Sequence, residues 1–238
     1  MRSAEAVLCS SCGRRSASYY RRHSGEKLCA ICLYRDLARE IKRSFSLIRK
    51  KSFGLKIAVL VYSHRIVEST VLMKILSDIE RGFNSEVVCV VLEEELFECY
   101  SVFRRYCQDV VFSSLGRDVL EGGYVQKAIA GLTTRLDVVA LPETLNDILT
   151  LFLKNLVNKY VIEKPRIYFK SGDVEVVVPM YRVLKTDVTA YAHISGILKS
   201  LDCFNTSVGN VEVLEKLAVW LSLKHPELVY RFLRNVET

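Results

Sequence analysis

Short apolar runs alternate with amphipathic stretches along most of this 238-residue chain. Residues 56–62 are almost entirely apolar and rich in β-branched side chains, which is typical of a strand buried on both faces of a parallel sheet. After a polar break at residues 63–68, apolar side chains recur over residues 69–83 with the spacing of one helical face. A strand, a loop and a helix in this order open α/β nucleotide-binding domains, whose ligands lie at the carboxyl end of the strand.

The same alternation continues towards the end of the chain. In order, it predicts strands at residues 86–92, 109–113 and 137–141, and helices at residues 94–108, 118–135, 145–161, 185–195, 211–223 and 226–235. Alternating strands and helices predict parallel strands joined by right-handed crossovers. Residues 166–169 and 174–178 flank a Ser-Gly-Asp turn and predict a β-hairpin excursion from this pattern.

Four cysteines near the start of the chain form two CxxC pairs. The stretch CSSCGRRSASYYRRHSGEKLCAIC contains the candidate metal ligands Cys9, Cys12, Cys29 and Cys32. Each CxxC turn holds two thiolates on one side, and two such turns close a tetrahedral zinc site. Because four thiolates leave no open position, the predicted zinc is structural. The alternative is a redox-active CxxC pair.

Positive charge is concentrated before residue 53. Residues 1–52 contain 13 lysines and arginines against 4 acidic residues, a net charge of +9, whereas the rest carries 21 against 23, a net charge of −2. Residues 33–51 predict an amphipathic helix with one apolar stripe and a basic surface. Such a surface favours a nucleic-acid partner, with an ordinary solvated helix as the alternative. The candidate RNA contacts are Arg21, Arg22, Arg39, Lys42 and Arg43.

These patterns divide the chain into four parts. They are a zinc ribbon at residues 1–34, a basic linker helix at residues 35–53, an α/β domain at residues 54–200 and C-terminal helices at residues 201–238. No apolar run approaches the about 20 residues that cross a bilayer, and the first residues lack the apolar core of a signal peptide. Paired CxxC motifs also fit a reducing compartment. We therefore expect a cytoplasmic protein without membrane contact.

Several stretches share their order and residue types with one protein family. They are the cysteine ribbon, VVALPETLNDILTLFLKNL at residues 138–156, VPMYRVLKTDVTAYAHISGI at residues 178–197, and Cys203 with the later KHPEL. Together they resemble the archaeal and eukaryotic tRNA 2-thiolation proteins of the PP-loop (N-type ATP pyrophosphatase) superfamily, over nearly the whole chain. The resemblance implies a Rossmann-like sheet of the adenine nucleotide alpha hydrolase type, flanked by helices, and tRNA as a partner.

The phosphate-binding loop of that family is replaced in this sequence. Active members have SGGKDS after the first strand, where this chain has YSHRIVES at residues 62–69. Without the glycines and the lysine, backbone N–H groups have no open nest for a phosphate, which argues against ATP as a ligand. The remaining nucleotide-binding candidates are Ser63, Arg65, Ser69 and Asp147, with helix capping as the alternative role of Asp147.

The family resemblance also implies a CxxC inside the α/β domain that acts with a later cysteine. In that family these cysteines carry out sulfur transfer or hold an iron–sulfur cluster. The corresponding stretch here, SLGRDVLEGGYVQK, has no cysteine. Cys203 therefore stands alone as the catalytic candidate, with simple packing as its alternative role. One thiolate cannot hold a cluster, so no iron–sulfur cluster is expected.

Three functions are compatible with this sequence. In the favoured one, the chain is a non-catalytic tRNA-binding protein or the partner subunit of an active thiolation paralogue, with a homodimer as the alternative assembly. In the second, it is an ATP-dependent tRNA wobble-uridine 2-thiolation enzyme, a sulfurtransferase with an altered loop. In the third, it is a zinc-ribbon protein on an unrelated α/β fold with other partners.

Overall fold

The structure, a computed structural model, describes residues 7–48, 54–113, 136–159, 165–203 and 213–237. Its strands and helices are β1 (Tyr19–Arg21), β2 (Glu26–Leu28), α1 (Ala30–Phe45), β3 (Lys56–Val61), α2 (Ile66–Glu80), β4 (Glu86–Val91), α3 (Tyr100–Phe103), β5 (Asp109–Phe112), β6 (Val138–Ala140), α4 (Leu145–Lys159), β7 (Tyr168–Ser171), β8 (Val174–Val177), α5 (Lys185–Ile194), α6 (Ile197–Ser200), α7 (Val213–Lys224) and α8 (Pro226–Glu237). Short 3-10 helices lie at Ser63–Arg65, Arg81–Phe83 and Glu94–Cys99.

A six-stranded sheet forms the centre of the fold, in the order β5-β4-β3-β6-β8-β7. Strand β3 pairs in parallel with β4 on one side and with β6 on the other, where Ile57 is opposite Val138. Strands β3 and β4 are rich in Val and other apolar residues, because both of their faces are covered. The predicted α/β class, with a parallel sheet flanked by helices, is confirmed.

Strands β7 and β8 form the predicted β-hairpin, and this hairpin is part of the main sheet. The two strands are antiparallel to each other, but β8 pairs in parallel with β6, with Val139 opposite Val176. Val176 and Val177 point to opposite faces of the sheet and are both fully buried. Strand β8 therefore belongs in the sheet interior, and β7 forms one edge.

Each face of the sheet packs against its own set of helices. On one face, Ile57, Val59 and Val61 contact side chains of α1, α2 and α5. On the other face, Ala58 and Leu60 belong to a second apolar cluster with side chains of α4, α7 and α8. The stripe predicted for the basic helix is confirmed, since Leu33, Leu37 and Ile41 are buried in the first cluster. The ribbon and α1 are thereby packed onto the sheet.

Several predicted boundaries differ from the structure, among them that of the basic helix, which is α1 at Ala30–Phe45. Residues 63–68, predicted as a polar break, are helical. Ile66 is buried, and it packs the first turn of α2 against the core. The helix predicted at residues 94–108 is a 3-10 helix followed by α3, and it ends at Phe103. Its apolar spacing indicated the buried side chains but not the tighter winding. The helix predicted at residues 118–135 lies outside the described residues.

Membrane-spanning helices are not found in the described part of the chain. None of the helices described there combines the length and the apolar character that a bilayer crossing requires.

Candidate functional site

The four ribbon cysteines converge on one point. Their sulfur atoms all lie within 4.8 Å of one another, and Cys9, Cys29 and Cys32 are buried. The β1–β2 hairpin brings the two CxxC turns together, and α1 begins within the second turn. Gly13 closes the first turn with a positive φ of 62°, a conformation that favours glycine. The Gly13 N–H donates a hydrogen bond to the Cys9 carbonyl.

This donor set fits a metal centre. A single tetrahedral ion with metal–sulfur bonds of about 2.3 Å places its sulfur atoms about 3.8 Å apart, within the separation seen here. Four thiolates are also the ligand number of iron–sulfur clusters. The arrangement therefore provides a complete set of thiolate ligands for a metal, with no coordination position left for a substrate.

The candidate RNA contacts separate into two groups. Arg22, Arg39, Lys42 and Arg43 are exposed on the ribbon and on α1. Arg21 is turned inward instead, and its side chain is only 12% exposed. Its guanidinium lies 2.7 Å from Glu26, 3.4 Å from Asp36 and 3.1 Å from Asp187.

The carboxyl end of β3 is occupied by a buried ion pair. Arg65 Nη2 lies 2.7 Å from Asp147 Oδ1, and both side chains are at most 14% exposed. Burial alone lowers the pKa of Arg65, but the charges of Asp147 and Glu68 raise it above its ordinary value. Asp147 also caps α4, because its Oδ2 atom accepts hydrogen bonds from the N–H and the hydroxyl of Thr144.

The other loop candidates are engaged within the fold. Ser69 is fully buried, and its hydroxyl donates a hydrogen bond to the Leu60 carbonyl at 3.0 Å. The Ser63 N–H donates to Glu93 Oε2 at 3.1 Å. Burial lowers the pKa of His64, and the charge of Arg65 acts in the same direction.

Sequence reasoning did not identify three further members of this charged cluster. Lys185 Nζ lies 2.7 Å from Glu215 Oε1 and 3.6 Å from Glu68 Oε1. Glu215 in turn lies 3.6 Å from Arg65 Nη1. We call Arg65, Asp147, Glu215, Lys185 and Glu68 the loop cluster. Beside it is a cavity of about 220 Å³, lined among others by His64, Arg65 and Lys154.

The prediction that Cys203 stands alone is wrong. Its sulfur is bonded to that of Cys99, with the two Cα atoms 5.5 Å apart. The two residues are 104 positions apart in the sequence, and Cys99 ends the 3-10 helix that follows β4. No local spacing indicates such a pair.

Comparison with known proteins identifies the fold. The chain superposes on U34-tRNA thiolase NcsA from Methanococcus maripaludis with its [4Fe-4S] cluster, with a TM-score of 0.72. The match covers 98% of this chain and 87% of the thiolase at 15% sequence identity. No family model and no curated protein matches the sequence.

The expectation that no iron–sulfur cluster is present is overturned. The superposed thiolase carries such a cluster, and the four ribbon thiolates of this chain are a ligand set that can hold one. Cys203 alone cannot hold a cluster, but the four ribbon thiolates lie close enough together to do so. The chain therefore has the fold of a tRNA thiolase, as its resemblance to the tRNA 2-thiolation proteins of the PP-loop superfamily predicts.

Proposed function

We propose that this protein is a cytoplasmic, tRNA-binding member of the thiolation machinery that has lost ATP chemistry. It acts alone on tRNA or as the partner of an active paralogue. The observation that carries the proposal is the Arg65–Asp147 pair at the carboxyl end of β3. In parallel α/β sheets this position holds the ligand phosphates, and here two protein side chains neutralise each other in that place.

The hydrogen bond of Ser69 supports the same conclusion. Ser69 is the residue that matches the serine of active loops, and it donates to the backbone of its own strand. A phosphate would have to displace that bond and separate the Arg65–Asp147 pair. Separating a buried ion pair leaves an uncompensated charge in the protein interior, which is strongly unfavourable.

Binding of tRNA is proposed from the exposed basic face. Arg39, Lys42 and Arg43 lie on the solvent side of α1, opposite its buried stripe. Arg22 extends the positive charge onto the ribbon. Contacts of this kind neutralise phosphates and release counterions, so affinity falls steeply with salt.

Titration calorimetry with Mg-ATP tests the loss of nucleotide binding. We expect no heat and no thermal stabilisation at millimolar ATP, because the loop cluster already pairs its charges internally. Clear binding would overturn this part of the proposal and would favour the enzyme described below.

Charge reversal tests the RNA-binding face. In the triple variant Arg39→Glu, Lys42→Glu and Arg43→Glu, tRNA affinity should fall, and the salt slope should decrease by about one per lost contact. The matched control reverses three exposed arginines elsewhere, Arg81, Arg104 and Arg105. Equal affinity of the two triple variants for tRNA would contradict the assignment of this face.

A second candidate function is an active ATP-dependent tRNA 2-thiolation enzyme with an altered loop. The cavity of about 220 Å³ beside His64, Arg65 and Lys154 favours it, because it lies at the carboxyl end of β3. Its volume is below the about 300–1,000 Å³ of small-molecule sites, so the loop cluster would have to open. Hydrolysis of ATP that is lost in Ser69→Ala would support this candidate.

A further inference from the structure

The β1–β2 hairpin of the ribbon has one face turned to the fold and one turned to solvent. Successive side chains of a strand point to opposite faces, so Tyr19 and Arg21 share one face and Tyr20 lies on the other. On the first face, the Tyr19 hydroxyl donates a hydrogen bond to Asp187 Oδ1 at 2.8 Å, and Arg21 Nη2 lies 3.1 Å from Asp187 Oδ2. This inner face fixes the ribbon to α5.

The outer face of this hairpin presents an aromatic ring together with positive charge. Tyr20 is 55% exposed. Lys27 pairs with Tyr20 across the two strands, so the two side chains lie next to each other on the same face. Lys27 is exposed, and so is Arg22, the first residue after β1. The outer face therefore offers a ring to solvent with cations beside it.

The positive charge of the outer face is not neutralised within the described part of the ribbon. Residues 7–34 contain five lysines and arginines but a single acidic residue, Glu26. The carboxylate of Glu26 lies 2.7 Å from Arg21 and accepts a hydrogen bond from the Ser24 hydroxyl. Among the residues that the structure describes, neither Lys27 nor Arg22 forms an ion pair. Exposed cations without a counter-charge attract an anionic partner.

A ring beside cations matches the chemistry of single-stranded RNA. Each nucleotide joins a flat base to an anionic phosphate, and proteins stack such bases on aromatic side chains while lysines and arginines neutralise the phosphates. An acidic peptide would satisfy the cations of this face but would leave the Tyr20 ring without a partner. The bases of a duplex stack on one another, so they are not available to the ring. An unpaired nucleotide therefore fits the outer face best.

We propose that the outer face of the β1–β2 hairpin binds one unpaired nucleotide of an RNA, with the base stacked on Tyr20 and the phosphates at Lys27 and Arg22. The inference rests on the proposed RNA binding of this chain and deepens it. The basic face of α1 neutralises phosphates, which single-stranded and duplex RNA share. The Tyr20 ring adds a preference for unpaired RNA that phosphate contacts alone do not give.

Fluorescence anisotropy of the full chain with two labelled RNAs tests this proposal. One RNA is an oligouridylate, which is single-stranded, and the other is a blunt-ended duplex. In Tyr20→Ala, affinity for oligouridylate should fall about tenfold, the effect expected from the loss of one base–aromatic stack, and affinity for the duplex should stay the same. Tyr20→Phe should keep the wild-type affinity for both, because the ring does the stacking. Lys27→Gln should reduce the salt slope for oligouridylate by about 0.7, the value for one phosphate contact.

Tyr100→Ala is the matched control, because Tyr100 is 45% exposed and lies on α3, outside the ribbon. Unchanged oligouridylate affinity in Tyr20→Ala, or an equal loss in Tyr20→Phe or in Tyr100→Ala, would overturn the stacking site. RNA binding would still stand if the triple variant of α1 had lost affinity for tRNA.

An oligoglutamate of the same charge separates RNA from other polyanions. It should bind more weakly than oligouridylate, and Tyr20→Ala should not change its affinity. Oligoglutamate that binds as tightly as oligouridylate would overturn the nucleotide site. If the wild-type protein binds neither RNA, both the nucleotide site and the proposed RNA binding are refuted.

Discussion

Two charged regions of this protein use the same residue types in opposite ways. In the loop cluster, Arg65 and Lys185 each contact two carboxylates, so the positive charges are matched inside the fold. In the seam cavity, the cavity of about 450 Å³ between the ribbon and the α/β body, Arg21 also contacts carboxylates. The loop cluster holds its charges in close pairs beside a cavity of about 220 Å³, whereas the charges around Arg21 line a cavity of about 450 Å³.

Helix α5 takes part in both regions. Lys185 belongs to the loop cluster, and Asp187, two residues further, contacts Arg21 in the seam cavity. Residues two apart on a helix do not lie on the same face, so one short helix supplies charge to both places. The difference between the two regions is therefore set by the partners that surround each side chain.

The largest expected effect concerns the four-cysteine metal centre of the ribbon. The variant Cys29→Ser removes one of four thiolates, so the chain should lose its metal. The ribbon should then become sensitive to proteolysis, because structural metal sites contribute on the order of 10 kcal/mol to folding. Far-UV circular dichroism, metal analysis and limited proteolysis measure these changes.

Ser10→Ala is the matched control for Cys29→Ser, since it removes a ribbon hydroxyl that hydrogen-bonds the Lys27 carbonyl and leaves all four thiolates. Visible absorption and metal content also identify the metal, because zinc leaves the protein colourless and an iron–sulfur cluster does not. Unchanged metal content in Cys29→Ser would contradict the thiolate site.

The next largest effect tests whether the charges of the loop cluster are paired inside the fold. Arg65→Ala leaves the buried Asp147 carboxylate without its partner and should lower the free energy of unfolding by about 3–5 kcal/mol. Urea denaturation measures this loss. The pair of Arg81 and Asp78, 3.5 Å apart, serves as the control because the Arg81 side chain is 78% exposed, and Arg81→Ala should cost less than about 1 kcal/mol. Equal costs for the two variants would mean that Arg65 is not an internal partner.

The smallest effect is a pH dependence in the loop cluster. Burial raises the pKa of Glu68 above its ordinary value of 4.5, although the charge of Lys185 lowers it. The folded protein therefore binds this proton more tightly than the unfolded chain, so the contribution of Glu68 becomes less favourable as pH rises from about 4.5. Across that window, the free energy of unfolding of the wild type should fall, relative to that of Glu68→Gln, by about 1.4 kcal/mol per unit of pKa difference.

Urea denaturation at several pH values checks the Glu68 prediction, with the difference between wild type and variant as the measured quantity. Glu215→Gln is the contrasting variant. Burial acts to raise the pKa of Glu215, but its hydrogen bond with Lys185 lowers it below the ordinary value. Its stabilisation is present above pH 4.5 and is lost as pH falls further. A pH-independent difference for Glu68→Gln would contradict the raised pKa.

Local sequence patterns predicted most of the strands and helices and the cysteine ribbon. The apolar run of β3, the buried stripe of α1 and the cysteine spacing each depend on neighbouring residues, which are close in space once a strand, helix or turn forms. The polar break before α2 was misassigned because its conformation depends on packing and not on neighbouring residues alone. Burial of Ile66 decides that the chain is helical there, and burial depends on the packed sheet.

Tertiary structure decided the chemistry of the two charged regions. Sequence alone identified Arg65 and Asp147 as nucleotide-binding candidates. Only the fold brings them to 2.7 Å from each other, where their charges form an internal ion pair. The bond between Cys99 and Cys203 and the cavity between Arg21 and Tyr230 likewise join residues far apart in the chain. Periodicity predicts which side of an element is buried, because it is a local property. It does not predict which charged groups meet, because that depends on how distant elements pack.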